Sequence, residues 1–355
     1  MTTYLITGGA GFIGSNLVHH LLADPGADAR VVVLDALTYA GNPRNLAPVA
    51  GDPRFTFVHG DICDAPRVRE LLAQHRPEVL FNLAAESHVD RSIDGPAAFV
   101  RTNVQGTFEL LDAARAHLAR LPDEERRRFR FVHVSTDEVF GSLGDDGHFT
   151  ETSPYSPRSP YAASKAAADH LARAWFHTYG LPTIVTSCSN NYGAYQFPEK
   201  LVPLVVLNAL EGKPLPVYGD GKNVRDWLWV GDHCAALALV ARRGVPGETY
   251  AIGGRQERTT LQVVEAICDA LESLAPKPAR YRDQIAFVAD RPGHDRRYAI
   301  DPAHLHAALG WSPTVSFEQG LRQTVAWYVA HRDWCAEITE RRYQRERLGL
   351  PGVAS

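Results

Sequence analysis

The chain has 355 residues, with 37 Lys and Arg against 41 Asp and Glu and a formal net charge of −4. This length is enough for about two domains, and the charge balance gives no electrostatic reason to expect nucleic acid or an anionic membrane as a partner. The composition, 45% hydrophobic and 22% charged, excludes a disordered chain. No run approaches about 18 consecutive apolar residues, so no membrane span is expected.

The spacing of the cysteines and the first residues of the chain indicate the cellular compartment. The five cysteines are scattered, and no two of them stand at metal-motif spacing. From Met1 the chain passes directly into an apolar run and a glycine turn, without the basic and long apolar regions of a secretory signal. We therefore expect reduced thiols, no metal site and a cytoplasmic protein.

Short apolar runs alternate with helical segments in the first half of the chain. The runs are continuous and rich in Val, Ile and Phe, as is typical of strands buried on both faces. They cover residues 4–7, 30–35, 55–59, 79–83, 129–135 and 183–187, and the predicted helices between them cover 13–23, 64–75, 97–119 and 161–179. This alternation predicts an α/β fold with a Rossmann-type doubly wound parallel sheet.

The pattern changes near residue 190. Helices are predicted over 198–212, 231–241, 259–273, 302–309 and 316–331, and residues 215–221 predict a strand that ends in a tight turn. The segment 274–300 has no regular pattern, and the charged run 120–128 is typical of a solvated helix end and loop. A smaller mixed α/β C-terminal domain is therefore expected after the sheet.

A glycine-rich turn follows the first predicted strand. Gly8, Gly11 and Gly14 fall at three-residue intervals between that strand and a helix. Such glycines permit a tight turn, the approach of a pyrophosphate to the backbone, and close helix–strand packing. The free N–H groups of the following helix then suit phosphates, so the turn predicts a dinucleotide site.

Two acids end the next strands. Asp35 lies 21 residues after Gly14, close to the expected spacing of about 20. A carboxylate there accepts hydrogen bonds from an adenosine ribose and repels a 2′-phosphate, which favours NAD over NADP. Asp61 follows the third strand and is a candidate contact for the adenine amino group.

Tyr161 and Lys165 stand at i and i+4 and share one helix face. Ser159 and Pro160 suit the cap and first turn of that helix. A free tyrosine has a pKa of about 10. A neighbouring ammonium and a cationic nicotinamide would both favour the phenolate, so we expect Tyr161 to be a usable base near neutral pH.

Thr136, Asp137 and Glu138 follow a predicted strand at its carboxyl end, where ligands bind in open α/β sheets. Two adjacent acids beside a hydride-transfer pair indicate general acid and base catalysis.

Together these motifs resemble the dTDP-glucose 4,6-dehydratase family of extended short-chain dehydrogenases/reductases. Matching stretches run from about residue 4 to 330 and are found at 7–15, 37–42, 84–92, 136–138, 161–165, 190–193, 198–201, 225–227 and 290–294. The resemblance implies a catalyst that holds NAD and converts dTDP-D-glucose to dTDP-4-keto-6-deoxy-D-glucose. It also implies a homodimer, with no nucleic acid or membrane as partner.

The family chemistry assigns expected roles. Tyr161 would take the proton of the sugar 4-OH, while Thr136 hydrogen-bonds O4 and Lys165 orients the cofactor ribose. Glu138 would remove the C5 proton and Asp137 would protonate the departing 6-OH, after which hydride returns from the cofactor to C6.

Two sets of contacts carry over from the resemblance. The expected cofactor contacts are Gly8, Gly11, Phe12, Ile13, Gly14, Asp35, Thr38, Asp61, Ile62, Leu83, Ala84, Ala85, Ser87, Thr102, Tyr161, Lys165 and Asn190. The expected substrate contacts are Ser87, His88, Thr136, Asp137, Glu138, Asn190, Glu199, Lys200, Leu201, Pro216, Val217, Tyr218, Arg225, Thr260, Arg291 and His294. Bidentate Arg matches the geometry of a diphosphate independently of the resemblance.

The same resemblance sets the expected domain limits. We expect an NAD-binding domain over 1–190 plus about 222–250, a substrate-binding domain over about 191–221 and 251–330, and a C-terminal tail over 331–355.

Three departures from the family pattern leave the nucleotide and sugar open. Thr260 stands where Asn is usual, Ala251 where Asn or His is frequent, and Ala194 where Pro is common. A 4,6-dehydratase of a UDP-, CDP- or GDP-hexose therefore stays an alternative.

Other classes are less well matched. An epimerase typically has a Ser or Thr pair in place of Asp137 and Glu138, whereas GDP-mannose 4,6-dehydratases and UDP-glucuronate decarboxylases usually have Ser at the aspartate position. A non-catalytic NAD-binding regulator would not need this acid–base set.

Overall fold

The computed structural model of the chain describes residues 1–24, 26, 28–290 and 295–341. Its strands are β1 (Thr2–Thr7), β2 (Ala29–Asp35), β3 (Phe55–His59), β4 (Val79–Asn82), β5 (Arg130–Thr136), β6 (Thr183–Cys188), β7 (Asn190–Tyr192), β8 (Leu215–Tyr218), β9 (Val224–Trp229), β10 (Thr249–Ile252), β11 (Glu257–Thr259) and β12 (Ile285–Val288). Its α-helices are α1 (Phe12–Leu22), α2 (Ala65–His75), α3 (Val89–Asp94), α4 (Pro96–Phe99), α5 (Thr107–Leu118), α6 (Asp123–Arg128), α7 (Pro160–Tyr179), α8 (Leu201–Leu210), α9 (Val230–Arg243), α10 (Thr260–Leu274), α11 (Ala303–Leu309), α12 (Phe317–Ala330) and α13 (Arg332–Arg341).

Seven parallel strands form the central sheet, in the order β10-β6-β5-β4-β1-β2-β3. The chain leaves β1 towards β2 and β3 and then crosses back to β4 on the other side of β1. This reversal opens a crevice between the carboxyl ends of β1 and β4, where ligands bind in doubly wound sheets. The Rossmann-type sheet predicted from the alternating pattern is confirmed.

Helices cover both faces of the sheet. Apolar residues of α1, α9 and α11 pack on one face, and those of α2 and α5 pack on the other. The strand residues between them are mostly buried, except in the edge strand β3, which is half-buried. Because both faces are covered, the strands read as continuous apolar runs.

A second layer of structure lies over the carboxyl end of the sheet. It holds the three-stranded sheet β11-β9-β7 and the parallel pair β12-β8. Helices α8, α10 and α12 share one apolar core with these strands, including Val205, Ile267 and Val325. The smaller mixed α/β unit is therefore present, and β10 returns from it to the edge of the large sheet beside β6.

The structure differs from the predicted elements in several places, and strands β7, β9 and β11 are not among the predicted ones. Strand β10 is too short for its pattern to reveal it, and β12 lies in the segment 274–300 that carries no regular pattern. The helix predicted over 97–119 is interrupted by a π-helical stretch at Val100–Gly106. The expected tail begins as α13, because Trp334 and Ile338 form an apolar face that is buried in the second core.

Candidate active site

A cleft of about 320 Å³ opens where the carboxyl ends of the sheet strands meet the second layer. It is lined by all of the predicted catalytic and cofactor residues and by seven of the predicted substrate residues. These are Gly8, Gly11, Phe12, Ile13, Gly14, Asp35, Thr38, Asp61, Ile62, Leu83, Ala84, Ala85, Ser87, Thr102, Thr136, Asp137, Glu138, Tyr161, Lys165, Asn190, Glu199 and Lys200.

The glycine turn at the crevice has no room for side chains. Gly8 has φ +71°, and a Cβ on it would lie 2.7 Å from the backbone of Ala84. A Cβ on Gly14 would lie 2.2 Å from the carbonyl oxygen of Gly8. The turn thus brings bare backbone to the start of α1, as a bound pyrophosphate requires.

Asp35 supports this turn from the end of β2. Its Oδ2 accepts a 2.8 Å hydrogen bond from Ala10 N–H and its Oδ1 accepts one of 2.8 Å from Leu37 N–H. Burial raises the pKa of Asp35, and these two bonds oppose the rise. At the next strand end Asp61 accepts from Cys63 N–H at 2.9 Å and pairs with Arg101 at 3.3 Å.

The wall opposite Asp35 is formed by residues 83–87, after β4. Asn103 holds it in place, because its Oδ1 accepts from Glu86 N–H at 2.9 Å and its Nδ2 donates to Glu86 O at 3.0 Å. Asn103 Nδ2 also donates to Ser164 Oγ on α7 at 2.8 Å. Asn103 and the predicted cofactor residue Thr102 both lie in the π-helical stretch, a type of segment that is frequent at functional sites.

Thr136 ends β5 and caps the 3-10 turn Asp137–Phe140, since its Oγ1 accepts from Glu138 N–H at 3.3 Å. Asp137 is 2% exposed, and its Oδ2 makes no hydrogen bond with any described residue. Burial and then the neighbouring Glu138 raise the pKa of Asp137 well above its ordinary value, while Arg225 opposes them. Burial therefore favours the protonated form of Asp137, which lines the cleft.

Tyr161 and Lys165 are both buried on the first turns of α7, which Ser159 caps by accepting from Ala162 N–H at 3.0 Å. Lys165 Nζ donates to Val134 O on β5 at 2.7 Å. Burial lowers the pKa of Lys165, and it raises the pKa of Tyr161 well above its ordinary value, with Glu138 adding to the rise. These protein groups favour the neutral phenol, and the expectation that the ammonium together with a cationic nicotinamide makes Tyr161 a base near neutral pH stays a prediction.

The far end of the cleft holds a buried acid among cations. Glu199 Oε2 accepts from Arg91 Nε at 3.1 Å and lies 3.9 Å from His88 Nε2. Lys200 Nζ donates to Ser87 O at 3.1 Å. The Arg91 guanidinium also stacks 4.3 Å above the ring of Tyr39. His88 does not line the cleft itself and contacts it through Glu199.

Several predicted substrate residues lie beyond this lining. They are Leu201, Pro216, Val217, Tyr218, Arg225 and Thr260. Arg225 is buried, stacks 4.3 Å above the ring of Tyr298 and donates to Asp295 O at 3.0 Å. Thr260 Oγ1 donates to Asn223 O at 3.4 Å. Arg291 and His294 lie outside the described residues.

Sequence reasoning missed some of the lining. Glu86, Cys188, Ser189, Asn191 and Gln196 also face the cleft. Glu86 and Asn191 belong to the matching stretches 84–92 and 190–193, which are the signal that could have found them; no motif marks Cys188, Ser189 or Gln196.

The described residues offer neither a metal site nor a membrane-spanning helix. Within the described ranges, no group of three or more His, Cys, Asp and Glu could hold a metal ion. No described helix is long and apolar enough to cross a membrane.

Residues 5–324 match the family model described as GDP-mannose 4,6 dehydratase. A dTDP-glucose 4,6-dehydratase of Neisseria meningitidis serogroup B is 57% identical over 354 residues, which are 98% of this chain and 99% of that protein. The chain belongs to the dTDP-glucose 4,6-dehydratase family.

Solved structures agree with this family assignment. DesIV, a dTDP-glucose 4,6-dehydratase of Streptomyces venezuelae crystallised with NAD and TDP, has a TM-score of 0.87 and 49% identity, covering 95% of this chain and 100% of that chain. The UDP-glucose 4-epimerase of Thermotoga maritima has a TM-score of 0.80 at 28% identity, covering 93% of this chain and 99% of that chain. The fold is thus shared with epimerases, and the distinction between dehydratase and epimerase depends on the site.

Proposed function

We propose that the protein is an NAD-dependent dTDP-glucose 4,6-dehydratase, a hydro-lyase that forms dTDP-4-keto-6-deoxy-D-glucose. One observation carries this proposal: beside Tyr161 and Lys165, the cleft holds a buried Asp137 whose Oδ2 has no hydrogen-bond partner among the described residues and whose pKa is raised by burial, which favours its protonated form. An epimerase needs no proton donor for a leaving hydroxyl, whereas elimination of water does.

The cleft fits NAD. The glycine turn leaves a cradle that a Cβ at Gly8 or Gly14 would fill, and the start of α1 offers free N–H groups to a pyrophosphate. Asp35 would hold the adenosine ribose, with Asp61 and Ile62 at the adenine end and Thr102 and Asn190 further along the cleft. When bound, NAD would supply the hydride-transfer chemistry needed at C4 and C6 of the sugar.

Oxidation at C4 requires a base for the 4-OH. Tyr161 is that base, with Thr136 hydrogen-bonded to O4 and to the phenol, and the Thr136 bond opposes the rise in the pKa of Tyr161. Lys165 would orient the nicotinamide ribose and place an ammonium on the same helix face as the phenol.

Elimination then uses the two acids after Thr136. The 4-keto group acidifies the C5 proton, which Glu138 removes. Asp137 gives its proton to the 6-OH, which leaves as water. The two carboxyl groups therefore work in opposite directions, and the burial of Asp137 is what sets it as the acid.

Substrate specificity is proposed to lie at both ends of the cleft. Ser87, His88 and Asn190 would contact the sugar, Glu199, Lys200 and Leu201 the thymine side, and Pro216, Val217 and Tyr218 would surround the base. Arg225, Arg291 and His294 would serve the diphosphate, and Thr260 would replace an amide contact. The thymidine preference is supported by the relatives at 57% and 49% identity, which are dTDP-glucose 4,6-dehydratases.

The purified protein should be incubated with dTDP-, UDP-, GDP- and CDP-glucose without added reductant and followed by mass spectrometry. We expect loss of one water from dTDP-glucose, with the other three reacting more slowly. Preferred reaction of another nucleotide would correct the substrate but keep the reaction. Epimerisation without loss of water would overturn the dehydratase assignment.

The domain limits stay as proposed, 1–190 with about 222–250 for NAD and 191–221 with 251–330 for substrate. The packing of α9 on α1 supports the return of the chain to the first domain. The exception is 331–341, where α13 belongs to the core of the second layer.

We further propose a homodimer. Val100, Phe108 and Tyr179 are 57%, 40% and 53% exposed on the π-helical stretch, α5 and α7, and Trp175 packs against both Phe108 and Tyr179. A second copy would cover these apolar side chains. In sedimentation velocity, Phe108→Asp should convert the dimer to a monomer. The matched control Phe287→Asp, at another exposed phenylalanine, should leave the dimer intact. A wild-type protein that is monomeric at micromolar concentration would contradict the proposal.

A cytoplasmic location is proposed from the five cysteines, which are all free thiols in the structure. Fractionation of the native host would test it.

A further inference from the structure

A chain of buried polar side chains runs under the cleft and is not used by the reaction steps above. Asp169 is its central member: it lies on α7 one turn after Lys165 and has no exposed surface. Its Oδ2 accepts hydrogen bonds of 2.8 Å from Ser135 Oγ and of 2.8 Å from Tyr155 OH. His133 Nε2 lies 3.1 Å from Oδ1.

The bonds of His133 fix which of its nitrogens faces Asp169. Thr7 Oγ1 donates to Asn82 Oδ1 at 2.9 Å, so the Nδ2 of Asn82 is the atom that lies 3.2 Å from His133 Nδ1. Nδ1 therefore accepts and Nε2 carries the hydrogen; Nε2 lies 3.1 Å from Asp169 Oδ1, but the two atoms do not have hydrogen-bond geometry. Burial lowers the pKa of His133, so the imidazole is neutral.

Strand β5 contacts α7 through three successive residues, His133, Val134 and Ser135. His133 and Ser135 contact Asp169, the carbonyl oxygen of Val134 between them accepts from Lys165, and Thr136 follows as the first residue of the catalytic set. The same helix carries Tyr161. The register between β5 and α7 thus decides how the two halves of the catalytic set face each other.

Lys165 needs a counter-charge to stay an ammonium, because it is buried. Asp169 on α7 raises the pKa of Lys165, as does Cys188 on β6, against the lowering caused by burial. The other charged or titratable neighbours of this network are His133 and Arg173. Burial raises the pKa of Asp169, but the neighbouring His133 and Lys165 and the bond from Ser135 bring it below the ordinary value, so Asp169 is ionised.

We propose that Asp169 is a positioning residue for catalysis: it docks α7 onto β5 and supplies the negative charge that keeps Lys165 an ammonium. The part of this inference that concerns turnover rests on the proposed dehydratase function. The part that concerns the proton on Lys165 does not.

The test is Asp169→Asn, which is nearly isosteric and leaves Ser135 and Tyr155 with hydroxyls that can accept as well as donate. The chain has only five lysines, so lysine labelled with ¹³C at Cε gives few NMR signals, and Lys165→Arg identifies the one from Lys165. We expect the Lys165 signal to titrate at lower pH in Asp169→Asn than in the wild type. Asp169→Glu, which keeps the charge, should restore most of the difference.

Turnover gives the second readout. In Asp169→Asn we expect kcat to fall on the order of 10- to 100-fold, as for a misplacement of about 1 Å, with KM changed less than about twofold because the substrate contacts lie elsewhere. The alkaline limb of the kcat–pH profile should move to lower pH, since Lys165 gives up its proton sooner.

Asp232→Asn is the matched control, because Asp232 is also buried but accepts from Thr314 and Val315 far from the catalytic set. It should lower the unfolding temperature and leave the kcat–pH profile and the Lys165 signal unchanged. An Asp169→Asn variant with the wild-type Lys165 titration and alkaline limb would overturn the proposal, whereas a wild type without dehydratase activity would overturn only the proposed function.

If Asp169→Asn does not fold, Ser135→Ala removes one donor and keeps the carboxylate. The pKa of Asp169 should then rise, and the acid limb of kcat should move to higher pH. An unchanged acid limb in a folded Ser135→Ala variant would equally contradict the proposal.

Discussion

The Asp137→Asn variant should separate the two halves of the proposed reaction. Asn has nearly the shape of Asp but no acid proton, so the hydroxyl leaving C6 loses its donor. General-acid catalysis contributes about 10²- to 10⁴-fold, which corresponds to about 3 to 5 kcal/mol of barrier at about 1.4 kcal/mol per tenfold. Oxidation at C4 should stay close to the wild-type rate, because Tyr161, Thr136 and Lys165 are unchanged.

The variant should also fold well. The pKa of Asp137 is higher in the folded protein than in an unfolded chain, because of burial. Stability from such a group is fully present below its unfolded pKa and is lost as the pH rises through the folded value. Near neutral pH a permanently neutral Asn therefore removes no charge-dependent stability, and we expect an unfolding temperature at or above that of the wild type.

A single-turnover mixing experiment with dTDP-glucose tests the separation. NADH absorbance should rise and persist in Asp137→Asn, with no loss of water by mass spectrometry. The matched control is Asp226→Asn: Asp226 is equally buried, but its oxygens accept from Gly254 N–H at 2.8 Å and Gln256 N–H at 2.7 Å. That variant should lose stability, by about 1–3 kcal/mol for an unpaired buried group, and should not accumulate NADH. Wild-type rates of dehydration by Asp137→Asn, or no rise in absorbance with substrate bound, would refute the assigned role.

Three further predictions concern the cofactor and proton sites. The elimination step should slow as the pH rises through the raised pKa of Asp137, which the decay of NADH absorbance across a pH series would show. Gly14→Ala should purify without bound NAD, because the new Cβ would lie 2.2 Å from Gly8 O, whereas Gly51→Ala, with nothing within 4 Å, should keep it; equal NAD content would contradict the cradle. Asp35→Asn should weaken NAD binding and raise the ratio of NADP to NAD affinity in fluorescence titrations, and an unchanged ratio would count against the ribose contact.

Much of the sheet could be predicted because its physics is local. A strand buried on both faces gives a continuous apolar run, and the turn after β1 needs glycine where Gly8 takes φ +71°. Strand β12 could not be predicted, since four residues become a strand only by pairing with β8, about 70 residues earlier. The π-helical stretch at Val100–Gly106, which carries the cleft residue Thr102, likewise has no distinct signature in the apolar pattern of the sequence.

The site was predictable in its residue types but not in its charges. Spacing places Tyr161 and Lys165 on one helix face and Asp137 beside Glu138. It does not show that burial raises the pKa of Tyr161, because that burial comes from side chains distant in the sequence, such as Phe99, whose ring lies 6.3 Å from that of Tyr161. The sequence pattern therefore identifies Tyr161 as a proton-transfer group, but it does not give the direction in which the pKa of Tyr161 shifts.

The buried aspartates show what separates a carboxyl that transfers protons from one that holds structure. Burial raises the pKa of Asp35, Asp137 and Asp226 alike, so burial alone does not distinguish them. The carboxyl groups of Asp35 and Asp226 each accept hydrogen bonds from backbone N–H groups, whose positions are fixed by the fold. These bonds hold each carboxylate in place. Asp169 accepts hydrogen bonds from Ser135 and Tyr155, and the neighbouring His133 and Lys165 lower its pKa. Asp137 has one oxygen without a partner among the described residues and a negative neighbour in Glu138. A buried acid with a free oxygen beside a second acid is costly for the fold, and elimination of water is the chemistry that uses that arrangement.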